Sequence, residues 1–196
     1  ELVKIDDIDL VPLYYSLRKP YQGNLKKVKT IKLPPSIGEF LFNWIRKPSI
    51  ESLVGPVDIF HSSDWTQPKT KAKKVTTYHD VIPLKYPEWS DPKIVAVHKR
   101  RLKIVESEID IVIAVSETTK KDLLECTSIP EDKIKVIYEA ADKSFKPYPK
   151  EDVENFRKKY NLPDNFLLAI GGVGSRRNLE NIKKALNKII SEDSVG

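Results

Sequence analysis

Two groups of residues in this chain could do chemistry. The first is a set of imidazole, carboxylate and hydroxyl groups at the ends of apolar runs: His61 after VDIF, His79 and Asp80 after VTTY, Ser116 and Glu117 after IDIVIAV, and Glu139 after KIKVIY. If those runs are parallel strands, all of these residues lie along one rim, because ligands bind beyond the carboxyl ends of an open parallel sheet. The second group is the segment FLLAIGGVGSRRNLENI, residues 166–182. There an apolar run enters a loop with Gly171, Gly172 and Gly174, and Arg176 and Arg177 precede a helix that starts near Asn178. Glycines let a backbone approach a ligand closely, a helix N-terminus offers free N–H groups, and guanidiniums add bidentate charge. The combination suits a phosphate, although it is neither a Walker loop nor a dinucleotide fingerprint.

Several other chemistries fit less well. A metal site built from His61, His79 and Asp80 has no recognisable ligand spacing. Ser116 lies in AVSET, without the flanking glycines of a nucleophile elbow. The plainer role for Ser116 is a helix N-cap, and for Asp80 a cap of the following turn. His61 and His79 also have the plainer role of hydrogen-bonding residues at strand ends. Asp7 and Asp9 form a D-x-D pair that reads as exposed loop.

These side chains need a scaffold. Apolar runs of strand length recur at 9–15, 28–33, 57–60, 75–78, 109–115, 133–138 and 166–170, several of them nearly unbroken, as for strands covered on both faces. Helical patterns lie between them. One opens with Asp91 as N-cap and Pro92 in the first turn, and sets Ile94, Val97, Leu102 and Val105 on a stripe. Another follows Ser116 with Leu123 and Leu124 inward, and a third carries Leu179, Ile182, Leu186 and Ile189. The alternation predicts an α/β fold, a Rossmann-like parallel sheet flanked by helices. Residues 1–144 form the first domain and 145–163, charged and rich in proline, a linker with a short helix near 151–160. Residues 164–196 begin a second domain. One strand and one helix cannot close a core, so the sequence is expected to continue.

Composition narrows the class. The chain has 196 residues, one cysteine (Cys126), no methionine and a formal net charge of +6. A disulfide framework is excluded, and no apolar run approaches the roughly 20 residues needed to span a bilayer. These features predict a soluble, cytoplasmic protein, and the absence of methionine predicts a processed start or a longer parent chain. The basic stretches KTKAKK (69–74) and HKRRLK (98–103) lack the interleaved aromatics of a nucleic-acid platform and read as solvated faces.

In order and spacing, VDIFHSSDWTQP, VTTYHDVIPLKYPEW, IDIVIAVSETTKKDLLE, IPEDKIKVIYEAADKSFKP and FLLAIGGVGSRRNLENIKKAL resemble the retaining glycosyltransferases of the GT-B fold (family four), which include mannosyl- and glucosyltransferases. The resemblance covers residues 57 to 186. It implies an acceptor-side domain, then the start of a domain that binds a nucleotide-sugar donor. It places His79 against the transferred sugar as the catalytic-site histidine. Arg176 and Arg177, with Gly172 and Gly174, fall on the family's diphosphate contacts, with arginine where the second basic residue is usually lysine. His61, Asp80, Ser116, Glu117 and Glu139 become candidates for lining the cleft. Glu139 and Ala140 stand where the family has Asn-Gly. The family's opening strand and glycine-rich loop, and its later pair of glutamates, would lie outside these residues, so the fragment alone is expected to be a poor catalyst.

The implied reaction moves a sugar from a nucleotide-sugar to a carbohydrate or lipid-linked acceptor with retention, needing no cofactor and no obligatory metal. Peripheral contact with an anionic membrane is compatible with the lysines, and no nucleic acid is expected as a partner. The alternatives are a nucleotide-sugar epimerase of the same two-domain plan, or a non-catalytic basic module binding nucleic acid or anionic membrane.

Overall fold

The apolar runs between residues 57 and 138 pair as four parallel strands. The computed structural model describes residues 5–23, 25, 27–170 and 178–193, and the chain divides into two units, Glu1–Glu139 and Ala140–Gly196. In the first unit β1 (Leu13–Tyr15) and β2 (Lys29–Ile31) form a small parallel pair. Next come α1 (Pro35–Phe40), a π-helical turn Leu41–Ile45, and α2 (Ile50–Val54). The main sheet has the order β3 (Ile59–Ser62), β4 (Lys73–Tyr78), β5 (Ile111–Ala114), β6 (Ile134–Val136), every neighbour parallel. Its crossovers run through α3 (Ile82–Lys85) with α4 (Pro92–Glu108), and through α5 (Glu117–Cys126).

The parallel register sets Tyr78 beside Ala114 and Val112 beside Ile134. Tyr78, Val105, Ile109, Val112, Ala114, Leu123 and Ile134 then close one core between the sheet, α4 and α5. The local signals explain the helix starts. The Asp91 carboxylate accepts the N–H of Lys93 at 2.8 Å with Pro92 in the first turn, and the Ser116 hydroxyl accepts the N–H of Thr119 at 3.0 Å.

Several expectations need correction. The first strand of the main sheet starts at Ile59 rather than 57 and runs to Ser62, so His61 lies within β3 rather than beyond its end. On α4 the buried face carries Val95, Arg101 and Val105, while Ile94 points outward. The stripe is turned because Arg101, a charged residue, occupies a core-facing position. Leu124 is exposed, one residue round the helix from buried Leu123. The basic stretches are not wholly solvated, since Arg101 is 0% exposed and Lys74 is buried and paired with Glu108.

The second unit contains α6 (Lys150–Lys159) and α7 (Leu179–Asp193). The run 166–170 is exposed and is not a strand, because the described residues of this unit offer it no strand to pair with. Gly171, Gly172, Gly174, Arg176 and Arg177 lie outside the described residues. Asn178 has a positive φ of 50°, and its carbonyl accepts the N–H groups of Asn181 and Ile182. Among the described residues no helix is long and apolar enough to cross a membrane.

Candidate active site

At the carboxyl edge of the main sheet a cleft of about 410 Å³ is lined by residues from all four strand ends, among them His61, Asp64, Thr77, His79, Val115 and Glu139. Each reaches it for a local reason. Residues 63–67 turn sharply because the Ser63 hydroxyl accepts the N–H groups of Trp65 and Thr66, at 3.3 and 3.1 Å. Buried Asn43 ties the same turn down, accepting the Gln67 N–H and donating to the Trp65 carbonyl, both at 2.8 Å. Asp64 is thereby presented to the cleft. His79 follows β4 directly, and its carbonyl accepts the Thr119 hydroxyl at 3.3 Å.

The His79 ring sits between two carboxylates. Nδ1 lies 3.1 Å from Glu139 Oε1 and Nε2 lies 3.4 Å from Asp64 Oδ2. A neutral ring has one N–H to share between them, so the balance of the two contacts governs which nitrogen carries the proton. The ring stays half exposed, open to a ligand in the cleft. His61 Nε2 is 2.9 Å from the Thr77 hydroxyl. Burial pulls the His61 imidazole below its ordinary value, with Asp64 opposing.

Beneath the cleft floor lies Arg101. Its Nη2 donates to the Thr76 hydroxyl at 2.8 Å and the Thr77 carbonyl at 3.0 Å, and approaches Asp64 Oδ1 to 3.5 Å. The guanidinium carbon stands 3.9 Å from the centre of the Tyr78 ring, a cation–π contact. Nε and Nη1 are buried without a hydrogen-bond partner among the described residues. Burial accordingly pulls the Arg101 pKa down, with Tyr78 and Asp64 opposing, and pushes the Tyr78 phenol up.

The structure brings His61, His79 and Glu139 to one cleft and leaves three other candidates outside its lining. The Asp80 carboxylate accepts the N–H of Ile82 at 3.0 Å and caps the turn into α3. Ser116 caps α5, and Glu117 is exposed in the first turn of that helix. Among the described residues no group of three or more His, Cys, Asp and Glu side chains is arranged to hold a metal. Asp64 and Arg101 were not among the sequence candidates. The available signal for Arg101 was its place on α4, four residues after Val97 and four before Val105, on the stripe those valines share.

The family model described as Glycosyltransferase Family 4 matches residues 13–145. Similar curated proteins include serotype-specific mannosyltransferases WbdA of Escherichia coli. One is 31% identical over 112 residues, 55% of this chain and 14% of that protein; another is 29% identical over 124 residues, 61% and 15%. The matched stretch thus spans about a seventh of these relatives' length. Among solved structures, Anabaena Alr3699/HepE is similar in its complexes with UDP-glucose and with UDP. Both are 20% identical over 49% of this chain and 24% of that one, with TM-scores of 0.39 and 0.36.

Proposed function

Because the chain belongs to Glycosyltransferase Family 4, we propose that the protein transfers a hexose from a nucleotide-sugar donor to a carbohydrate or lipid-linked acceptor, with retention and without an obligatory metal. The name of the relatives supports mannose as the sugar. The observation that carries the reading is the half-exposed His79 ring, set between Asp64 and Glu139 in a cleft at the carboxyl edge of a parallel sheet.

In the proposed step the bond from the anomeric carbon to the diphosphate oxygen breaks, and the acceptor hydroxyl oxygen bonds to that carbon from the same face. The hydroxyl proton passes to the departing diphosphate. His79 positions the sugar and does not act as nucleophile. Negative charge grows on the phosphate oxygens, and Arg176 and Arg177, beside the glycines of the loop, are the residues assigned to stabilise it. In the full-length protein, Arg176→Ala with Arg177→Ala should weaken donor binding several-fold in a calorimetric titration; unchanged affinity would remove that assignment. Incubation with one nucleotide-sugar and no acceptor separates the epimerase alternative, which alone would yield a new nucleotide-sugar.

The proposed setting is the cytoplasm, with peripheral contact to an anionic bilayer. α1 and its π-helical turn direct Ile37, Phe40, Trp44 and Ile45 outward. The basic stretches meet this face: Lys69 lies with Ile45 and Lys47 around a second cleft, and the Arg100 guanidinium lies 5.2 Å from the Trp44 ring centre. Surface lysines attract anionic leaflets at about 1 kcal/mol each. Vesicles of anionic lipid should blue-shift the fluorescence of Trp44, and a Trp44→Ser variant that co-sediments as well as wild type would refute the contact.

A further inference from the structure

We propose that Arg101 and Asp64 are positioning residues for His79: buried Arg101 fixes Asp64 from below, and Asp64 in turn sets the orientation and proton-bearing nitrogen of the His79 ring against Glu139. The contact is read from geometry alone, and its consequence for turnover rests on the sugar-transfer reading above.

The Arg101 side chain is fully buried, and although its guanidinium carbon lies 3.9 Å from the centre of the Tyr78 ring, only Nη2 makes hydrogen bonds, Nε and Nη1 finding no such partner among the described residues. A guanidinium held this way is a poor source of stability, since an apolar residue of similar volume fills such a site at lower desolvation cost. Packing therefore does not account for the charge. What the charge does have is direction: Nη2 faces Asp64 Oδ1 at 3.5 Å, while Asp64 Oδ2 faces His79 Nε2 at 3.4 Å. One carboxylate thus bridges a buried cation and the imidazole that opens on the cleft, one oxygen to each.

The floor of the cleft is built the same way. Arg101 also holds the Thr77 carbonyl and the Thr76 hydroxyl, and Thr77 contacts His61. Asp64 itself rides on the Ser63 turn that Asn43 anchors, so its backbone is fixed independently of Arg101. Removing the guanidinium should thus free the Asp64 side chain without displacing its loop. On the other side of the ring, Glu139 lies 3.1 Å from Nδ1 and competes for the same proton. A weaker Asp64 contact hands the ring to Glu139 and turns it.

The test uses nitrogen-15 NMR of the histidine rings in the full-length protein, with His79 assigned through His79→Gln. Asp64→Asn and Arg101→Met are compared with wild type, and the amide spectrum and Tm report the fold. The expected result is that both variants move the His79 ring nitrogen signals in the same direction, Asp64→Asn at unchanged fold. In turnover, each lowers kcat by about ten- to a hundred-fold, as when the carboxylate that orients a working imidazole is lost. Donor KM stays within about two-fold, and the double variant is no worse than the poorer single. Unchanged His79 signals in Asp64→Asn, or additive losses of kcat, would overturn the proposal. If the ring signals move but wild type transfers no sugar, the positioning stands and the functional reading falls. If Arg101→Met does not fold, Asp64→Asn still decides through the ring signals.

Discussion

Replacing Ser116 separates its structural role from a chemical one. In Ser116→Ala the N–H of Thr119 loses the oxygen that accepts it at 3.0 Å, and Thr119 is only 6% exposed, so water cannot readily take over. An N-cap serine is worth about 0.5–2 kcal/mol, and burial of the orphaned donor places this case near 1.5 kcal/mol. The Thr119 hydroxyl, 3.0 Å from Ser116 and donating to the His79 carbonyl, also loses a neighbour. With a urea m-value of about 2 kcal/mol/M, the unfolding midpoint should fall by about 0.7 M. Tryptophan fluorescence is a suitable probe because Trp44, Trp65 and Trp89 all lie in the first unit. Ser116→Asp should instead keep the midpoint, since aspartate caps as well as serine and its charge suits a helix N-terminus. An unmoved midpoint in Ser116→Ala, or a stable Ser116→Asp that has lost all activity, would refute the capping argument.

Two further predictions concern pH. Burial holds the folded His61 imidazole below its ordinary 6.5, so the unfolded chain binds its proton more tightly; stability from this residue is complete above that value and lost as pH falls through the folded pKa. His61→Gln should flatten the midpoint profile between about pH 7 and 5, and an unchanged slope would contradict this. Glu51 accepts the Thr70 hydroxyl at 2.5 Å and the Lys71 N–H at 2.6 Å, which hold its carboxyl at about 2 rather than 4.5. Its stabilisation is present above 4.5 and lost as pH falls toward 2, so Glu51→Gln should be less stable at neutral pH and less acid-sensitive in that window.

The α/β alternation was legible because the apolar runs and the caps at Asp91 and Ser116 are local signals that the packing obeys. Arg101 was not, because a charge in an amphipathic pattern reads as surface unless its angular position is weighed against its neighbours. Asp64 was hidden for a different reason: it belongs to a turn whose shape depends on Asn43, twenty-one residues earlier. The run 166–170 has strand composition, yet a strand exists only where another offers its backbone groups. His61 and Glu139 were legible as rim residues, but their meeting around one cleft follows from the sheet order, which spacing alone does not fix.

His79 is the residue proposed to face the transferred sugar. The direct test incubates the full-length protein, wild type and His79→Ala, with a nucleotide-sugar and a carbohydrate acceptor, and follows the acceptor by mass spectrometry. Wild type should give an acceptor heavier by one hexose, and His79→Ala should lose that product by about a hundred-fold or more at unchanged fold. An acceptor left unmodified by wild type, or glycosylated equally well by the variant, would contradict that role.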